Sequence, residues 1–462
     1  LSKRINNRII MILEQKTLDN KLNTLLINSP GSNTATIQIW FKAGSSIEKK
    51  EDHGIAHFLE HMFFKGTKKY PNVDLAKTVE SFGGEFNAFT SFDYTCYYIN
   101  APSKNIIDSI DVLLDMVTNP NFLEKDIAPE RNVVFEEYRR AIDNAGQFNF
   151  SQIQKNCFKG GYQHQILGTE KNIKSFSRDQ LISFREKFYN TGSAFLVVAG
   201  DLKNKEKIEK VINQFQLPIG ETPKPAKFGL KNTSKISSHD KATNQLSFNL
   251  TIEAPDYLGK LSPIEDLALN CLTFGDISPL YKELVLKDSV ASSVSGSTMF
   301  FNNKGVHFLK ASMPAENFKA FITRFEKEIL RVLKTGFSIE EIERIRNQYI
   351  SSKIYEKESI ESYAFSLGHS YAQTGDLKCE DSFIEAMKKA TTKSVHKALL
   401  DIFERFIHVN IQYPQNSKKT SVEKRIEQFR DKINKEAAKI QKSFKIESKC
   451  KKGSRKMKLN NN

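Results

Sequence analysis

The sequence predicts an α+β protein built from two similar halves, each with helices packed on a mostly antiparallel sheet. The chain has 462 residues, which is more than one ordinary hydrophobic core accommodates. Corresponding helix and strand patterns recur about 210 residues apart, as expected after duplication of one unit. Pro and Gly residues separate the two periodic regions in the manner of a linker.

The first half begins with a strand, because apolar and polar residues alternate over Thr36–Phe41. The apolar stretch 54–64 has helical character. Further along, the patterns predict a β-rich segment over 83–99, helices over 105–118, 124–143 and 178–188, and a strand over 194–199.

The second half repeats this order. Alternation over Gln245–Ile252 predicts its first strand. The remaining patterns predict a helix near 263–274, a β-rich region over 290–314, helices over 316–334, 338–355 and 392–405, and a strand over 408–412. We therefore expect domains at 1–216 and 245–414, a linker at 217–244 and an additional segment at 415–462.

The additional segment predicts an amphipathic helix followed by a basic tail. Its apolar residues recur at steps of three and four, at Val422, Ile426, Phe429, Ile433, Ala437 and Ile440. Packing on the chain's own second domain and docking to a partner subunit are both compatible with this pattern. The tail, 442–458, carries eight Lys or Arg residues against one Glu, and we interpret it as solvated.

Composition limits the classes of function. The net charge is +15, but the basic tail has no interleaved aromatic residues, so we expect no specific nucleic-acid partner. No run of 18 apolar residues occurs, which argues against a membrane span, and the apolar run near the N-terminus is too short for a secretory signal. Five scattered cysteines without a C-x-x-C pair indicate a reducing compartment and no cysteine metal site.

The most informative motif is His57-Phe-Leu-Glu60-His61. On a helix, His57 and His61 share one face, so both imidazoles can bind one ion. The order H-x-x-E-H is a zinc-peptidase signature. The alternative is a pair of ordinary surface histidines. The second-half helix near 263–270 has no histidine, so only the first half carries this motif.

A third ligand is available downstream. Glu130 and Glu137 lie two helical turns apart and share a face, whereas Glu136 points about 100° away from Glu137. If this helix packs beside the histidine helix, Glu137 completes a site of two His and one Glu. The alternative for Glu137 is a solvated helix charge.

With these residues the chain resembles the inverted zinc peptidases of family M16, which include pitrilysin, insulin-degrading enzyme and the mitochondrial processing peptidase β-subunit. Between His61 and Glu137 there are 75 residues, as in that family. The resemblance covers about residues 18–413 and is greatest to the short members; segments that carry it are 57–67, 83–98, 166–173 and 188–201. It implies one Zn²⁺ per chain on His57, His61 and Glu137, with Glu60 as general base and Glu130 as a supporting carboxylate.

The resemblance also implies how substrate binds. The segment 83–90 resembles the family's edge strand, which pairs with an extended peptide. The alternative is an interior strand. On this basis Gly84, Asn87 and Ala88 are the expected substrate-binding residues.

One family feature is missing. Many active members place an Arg and a Tyr in the second half to hold the substrate and the oxyanion, and here Val285 and Ser292 occupy those positions. We therefore expect a second M16-type subunit that supplies them in a heterodimer, or a homodimer. The expected function is a zinc endopeptidase subunit acting on peptides or unfolded segments. The alternative is a non-catalytic scaffold subunit of the same fold.

The expected compartment is the bacterial cytoplasm. The periplasm fits if a signal has been removed, and the mitochondrial matrix fits if the chain is eukaryotic.

Overall fold

The computed structural model describes residues 11–232, 236–405, 407–417 and 423–459, with side chains described as far as residue 444. The basic N-terminal stretch 1–10, Val422 and most side chains of the predicted basic tail lie outside the described residues. The chain groups into two compact units, each of which combines helices with one sheet. The predicted α+β class is confirmed.

The first unit contains residues up to 154, 160–227 and 352–377. Its sheet has six strands, whose bounds are β1 (Ile12–Thr17), β2 (Asn23–Asn28), β3 (Thr34–Phe41), β4 (Glu85–Thr90), β5 (Thr95–Pro102) and β6 (Ala194–Gly200). Their order is β1-β2-β6-β3-β5-β4. All neighbours are antiparallel except β2 and β6. Among the described strands, β4 is last in the order and pairs only with β5, so it lies at an edge of the sheet.

The first half has several helices, most of which pack on the inner face of this sheet, around Ile37, Ile39, Leu196 and Val198. Their bounds are α1 (Ile55–Phe63), α2 (Asp74–Ser81), α3 (Ile106–Thr118), α4 (Glu124–Asp143), α5 (Ala145–Cys157), α6 (Glu170–Ser175), α7 (Arg178–Phe188) and α8 (Lys205–Ile212). The last residues of α5 belong to the second unit.

The second unit contains 155–159, 228–351 and the described residues from 378 onward. Its strands are β7 (Ser237–Lys241), β8 (Leu246–Ala254), β9 (Ser293–Phe300), β10 (Gly305–Met313) and β11 (Ile407–Pro414), in the order β7-β11-β8-β10-β9. As in the first sheet, one pair is parallel, here β7 with β11. The predicted linker 217–244 therefore contains a strand, which its polar sequence Ser-Ser-His-Asp-Lys concealed.

The four predicted helices of the second half are present in the predicted order, together with further helices that the sequence patterns did not predict. Their bounds are α9 (Ser262–Thr273), α10 (Pro279–Tyr281), a π-helical turn (Lys282–Lys287), α11 (Phe318–Thr335), α12 (Ile339–Glu356), α13 (Ile360–Thr374), α14 (Cys379–Lys388), α15 (Thr392–Glu404) and α16 (Glu423–Leu459). In the described part of the chain, no helix combines the length and apolarity that crossing a membrane requires.

One second-half helix, α13, belongs to the first unit. It packs on the outer face of the first sheet, where Trp40 is fully buried. Gly368 on α13 lies so close that a Cβ there would stand 2.6 Å from the Trp40 indole. The predicted domain 245–414 is thus interrupted in the structure, because a helical pattern does not indicate which sheet the helix covers.

The amphipathic helix α16 packs within the second unit. Its side chains Ile426, Phe429, Ile433 and Ala437 are fully buried in the core of that unit. The helix contacts α11 and α15. Of the two interpretations of this helix, packing on the chain's own second half is confirmed.

Candidate metal centre

Helix α1 places three polar side chains of the motif together. Its first residues follow Gly54, which has φ +99°, a conformation that favours glycine. Eight of its nine residues are buried, so the helix is held on several sides. His57 and His61 face one another with ring centroids 4.7 Å apart, as their four-residue spacing predicts.

Helix α4 brings Glu137 to the same place. One carboxylate oxygen of Glu137 lies 3.6 Å from Nε2 of His57 and 3.3 Å from Nε2 of His61. One ligand atom from each of the three residues lies within 4.8 Å of the other two. Glu136 points elsewhere and pairs with Arg139 at 3.3 Å, as expected from helical geometry.

The donor set fits zinc. Both histidines direct the same ring nitrogen toward the same carboxylate oxygen, and Zn²⁺ prefers imidazole nitrogen and carboxylate oxygen in tetrahedral sites. Three protein ligands are the number found at catalytic zinc sites, where a fourth position takes water or substrate.

Glu130 supports His61 from the other side of the ring. Its Oε1 lies 2.7 Å from His61 Nδ1, and its other oxygen pairs with Lys65. A carboxylate at Nδ1 fixes the hydrogen there and leaves Nε2 free as a ligand. Sequence reasoning missed Lys65, which lies in the turn just after α1, where helical spacing does not indicate which side chains meet.

Burial and neighbouring charges separate the pKa values of the two histidines. Burial lowers the pKa of His57 to about 4, with a further contribution from His61. Burial acts in the same direction on His61, but hydrogen bonds to Glu130 and Glu137 outweigh it and raise its pKa to about 9. The hydrogen bond from His61 holds the pKa of Glu137 below its usual range.

Glu60 lies next to these ligands and is not one of them. It is buried, and Thr90 Oγ1 on β4 donates to its Oε2 at 2.5 Å. Burial raises the pKa of Glu60, and the Thr90 hydrogen bond opposes the shift in part. A carboxylate with a raised pKa is suited to accept and return a proton near neutral pH.

These groups open into a cavity of about 590 Å³. His57, Glu60 and Glu137 supply its polar end. The rest of its wall is largely apolar or amide, formed by Ala88, Phe89, Thr90, Phe92, Ala141, Gly146, Gln147, Phe150, Gln154, Gln165, Ile166 and Leu167. No sequence pattern identified the wall, because it combines β4 with α5 and the segment before α6.

The expected edge position of strand β4 is confirmed, since β4 pairs only with β5. Ala88 lines the cavity, whereas Gly84 and Asn87 do not. Asn87 and Ala88 are adjacent in a strand and therefore face opposite sides of the sheet. The Asn87 side-chain oxygen accepts the Ala88 N–H at 2.8 Å, and a Cβ on Gly84 would approach Phe82 and Val79 within 3.0 Å.

The positions of the missing Arg and Tyr lie in the second unit. Val285 is in the π-helical turn and packs against the second core. Ser292 accepts a hydrogen bond from Gln245 Nε2 at 2.8 Å. Neither side chain carries a cation or a phenol.

Comparison with known protein families decides the assignment. A family model described as Insulinase (Peptidase family M16) matches residues 23–170. A second, described as Peptidase M16 inactive domain, matches residues 175–349. The chain belongs to peptidase family M16. The resemblance seen in the sequence is thereby confirmed.

Curated relatives of this M16 chain include an uncharacterized zinc protease of Rickettsia bellii, which is 30% identical over 84% of the chain and 94% of the relative. A zinc protease of Bacillus subtilis is 26% identical, with 85% and 96% covered. The β-subunit of rat mitochondrial-processing peptidase is 35% identical, but the match spans only 42% of the chain and 39% of that subunit.

Solved structures support the fold. A protease from Helicobacter pylori aligns with a TM-score of 0.79 at 22% identity, covering 88% of this chain and 100% of that one. An M16 inactive-domain protein from Pseudomonas fluorescens aligns with the same TM-score at 18% identity and the same coverage. At these identities the likeness concerns the fold alone.

Proposed function

We propose that this M16 chain is a zinc-dependent endopeptidase subunit that cleaves peptides or unfolded protein segments. The observation that carries the proposal is the convergence of His57, His61 and Glu137 on one point, with the buried Glu60 beside them. These are the four positions at which the sequence predicts ligands and a base.

His57, His61 and Glu137 would hold the ion, which when bound polarises a peptide carbonyl and makes a water molecule more acidic. Glu60 accepts a proton from the attacking water and returns it to the leaving amine. Its raised pKa favours this return. Glu130, ion-paired with Lys65, keeps the His61 ring in its orientation.

Substrate would bind as an extended chain along β4. The outer edge of that strand has N–H and C=O groups available for β-augmentation. Ala88 leaves room for a backbone next to the cavity, and Phe89, Phe92 and Phe150 line the wall. This wall suits an uncharged, apolar substrate side chain, since Glu60 and Glu137 are the only acidic and His57 the only imidazole group in it.

A partner subunit would complete the site. Val285 and Ser292 provide no donor for an oxyanion, and loss of one such donor costs about 10²–10³ in rate. A second M16-type chain with Arg and Tyr at these positions would supply them, and a relative of this chain is itself named as a subunit. We propose a heterodimer, with a homodimer as the alternative, and the bacterial cytoplasm as the compartment.

The test separates metal binding from chemistry. Glu60→Gln is expected to retain one zinc per chain, because Glu60 is not a ligand, and to lose turnover about 10²–10⁴-fold, since an amide cannot accept the proton. Elemental analysis and hydrolysis of a quenched fluorescent peptide measure the two effects. Turnover within a factor of ten of wild type would exclude Glu60 as the base.

A scaffold function is the second candidate, and the absence of the Arg–Tyr pair favours it. In that case the wild-type chain, with its partner and zinc present, would hydrolyse no peptide in this assay, and Glu60→Gln would change nothing.

A further inference from the structure

Glu48 is a buried carboxylate at the start of the helix that carries the histidines. Its side chain has no solvent exposure. One oxygen accepts the N–H of Gly54 at 2.8 Å, and the other accepts the N–H of Ala56 at 2.9 Å. The first N–H groups of an α-helix have no partner within the helix. Glu48 therefore supplies two of the acceptors that the start of α1 requires.

His164 directs a third N–H toward the same carboxylate. Its Nε2 lies 3.1 Å from the Ser45 carbonyl oxygen and 3.2 Å from Glu48 Oε2. A carbonyl oxygen only accepts, so Nε2 carries the hydrogen and donates. The three residues after His164 line the cavity. Glu48 thus connects the start of α1 to the cavity wall.

Two glycines allow these segments to touch through their backbones. A Cβ on Gly54 would lie 2.6 Å from the Leu167 carbonyl oxygen, and one on Gly168 would lie 2.1 Å from that of His53. Asn172 Nδ2 donates to the His53 carbonyl at 3.3 Å. The first turn of α1 and the segment 164–168 therefore form one closely packed structure, with Glu48 buried inside it.

We propose that Glu48 is a positioning residue of the metal centre. By fixing the first turn of α1, Glu48 sets where His57 and His61 stand relative to Glu137 on α4. By bonding to His164, it also holds the cavity wall against that turn. This inference rests on the proposed zinc site, but Glu48 itself touches neither the ligand atoms nor the cavity.

The test measures zinc affinity, because a residue that acts only on stability would leave it unchanged in folded protein. Glu48→Gln keeps the side-chain shape but replaces one acceptor with an N–H donor, which then meets a backbone N–H. We expect zinc affinity to fall about 10–100-fold, as for other residues that orient ligands. Competition of the metal-free protein with a chromophoric chelator gives the affinity, and the absorption spectrum of the cobalt(II) form reports the ligand geometry.

Glu265→Gln is the matched control. Glu265 is on α9, the corresponding helix of the second unit, and is equally buried. We expect this variant to melt at a lower temperature while its zinc affinity and cobalt spectrum stay as in wild type. If circular dichroism shows that Glu48→Gln is unfolded, Glu48→Asp replaces it, since the shorter acid keeps the carboxyl group but reaches only one N–H.

A folded Glu48 variant with wild-type zinc affinity and cobalt spectrum would overturn the proposal. Measuring zinc binding by Glu137→Ala distinguishes an error in the role of Glu48 from an error in the assignment of the zinc site. If Glu137→Ala loses zinc and the Glu48 variant does not, only the positioning role is lost. If Glu137→Ala binds zinc as wild type does, the site itself is wrongly assigned.

Discussion

The carboxylates at the corresponding helices α1 and α9 have different partners. In α9, Glu265 is enclosed by Arg405, with two contacts of 2.6 Å, and by His307 at 3.0 Å. These donors saturate its oxygens. Beside α1, Glu137 faces two imidazole nitrogens instead. The same architecture thus gives a closed ion pair in one unit and a set of cation ligands in the other, according to which donors surround the carboxylate.

The outer faces of the two sheets differ as well. In the first, Leu25, Trp40 and Phe195 are buried beneath α13. In the second, the corresponding buried side chains are polar and include Asn249 and Asn410, which face each other across β8 and β11. Among the described residues, the amide oxygens of both have no protein partner, a setting in which buried water is common. The outer face of the first sheet is therefore covered by apolar packing of α13, whereas the outer face of the second carries buried polar side chains.

The largest expected effect concerns α13. A fragment of residues 1–227 lacks this helix and would expose Trp40, Phe195 and their neighbours to water, so we expect it to aggregate or remain unfolded. Co-expression with 352–377 should restore soluble, folded protein, because that segment completes the first unit. Size exclusion and near-UV circular dichroism of the Trp40 signal measure this. A well-folded fragment 1–227 would show that α13 is dispensable.

A smaller effect, on turnover, is expected from substitutions in the second unit. Val285→Arg together with Ser292→Tyr should raise kcat by up to about 10²–10³-fold if the missing pair stabilises the transition state. Zinc can polarise a carbonyl without that pair, so weak activity is expected before the change. Steady-state kinetics of the chain without a partner gives the result. Wild-type chain alone turning over at about 1–10³ s⁻¹, as ordinary enzymes do, would contradict the need for a partner.

The contact of α13 with the first sheet can be tested by one methyl group. Gly368→Ala forces a Cβ against the rigid Trp40 ring, and overpacking of this kind costs about 1–3 kcal/mol. Gly229→Ala is the control, since its Cβ would approach only a lysine side chain, at 3.9 Å. Urea unfolding monitored by Trp40 fluorescence compares the two. Equal stability of both variants would mean that α13 can shift at no cost.

The smallest effect concerns the polar face of the second sheet. Burial next to Arg430 lowers the pKa of His408 to about 4, from an ordinary value of 6.5. The unfolded chain therefore binds a proton at higher pH than the folded one, and stability falls as pH drops from 6.5 through 4. At pH 5.5 the loss is about 1 kcal/mol. His408→Gln should flatten the pH dependence of the melting temperature over this window, whereas an unchanged slope would argue that other groups dominate.

The sequence predicted the parts of the site that depend on helical spacing. His57 and His61 could be grouped because 3.6 residues per turn sets which side chains share a face. Glu137 lies on another helix, and its assignment as third ligand came from the resemblance to family M16. Periodicity also predicted the longer helices and the central strands in their correct order, but it missed several shorter elements such as α6 and α14. The edge position of β4 was expected from resemblance and is confirmed by its single neighbour.

Other features depend on which segments meet in space. Glu48 lies in a polar loop beside Glu51 and Asp52, and only the folded chain shows that two N–H groups at the start of α1 point at Glu48. Strand β7 carries no apolar alternation, and no sequence pattern indicated that α13 exists or that it packs on the first sheet. Cavity residues such as Gln147 and Leu167 come from segments without a shared pattern. The positions of these residues and elements are determined by tertiary contacts, which the periodicity of the local sequence does not reveal.

The membership of α13 in the first unit bears on the origin of the duplicated chain. In the described part of the chain, α13 is the helix that covers the outer face of the first sheet, so a one-half ancestor without it would have left residues such as Trp40 uncovered. In a dimer of two identical copies, each copy could have covered the outer sheet face of the other with this helix. Gene fusion would then have turned an exchanged homodimer into one polypeptide, after which the two units were free to diverge, one toward a candidate metal centre and the other toward a polar outer sheet face.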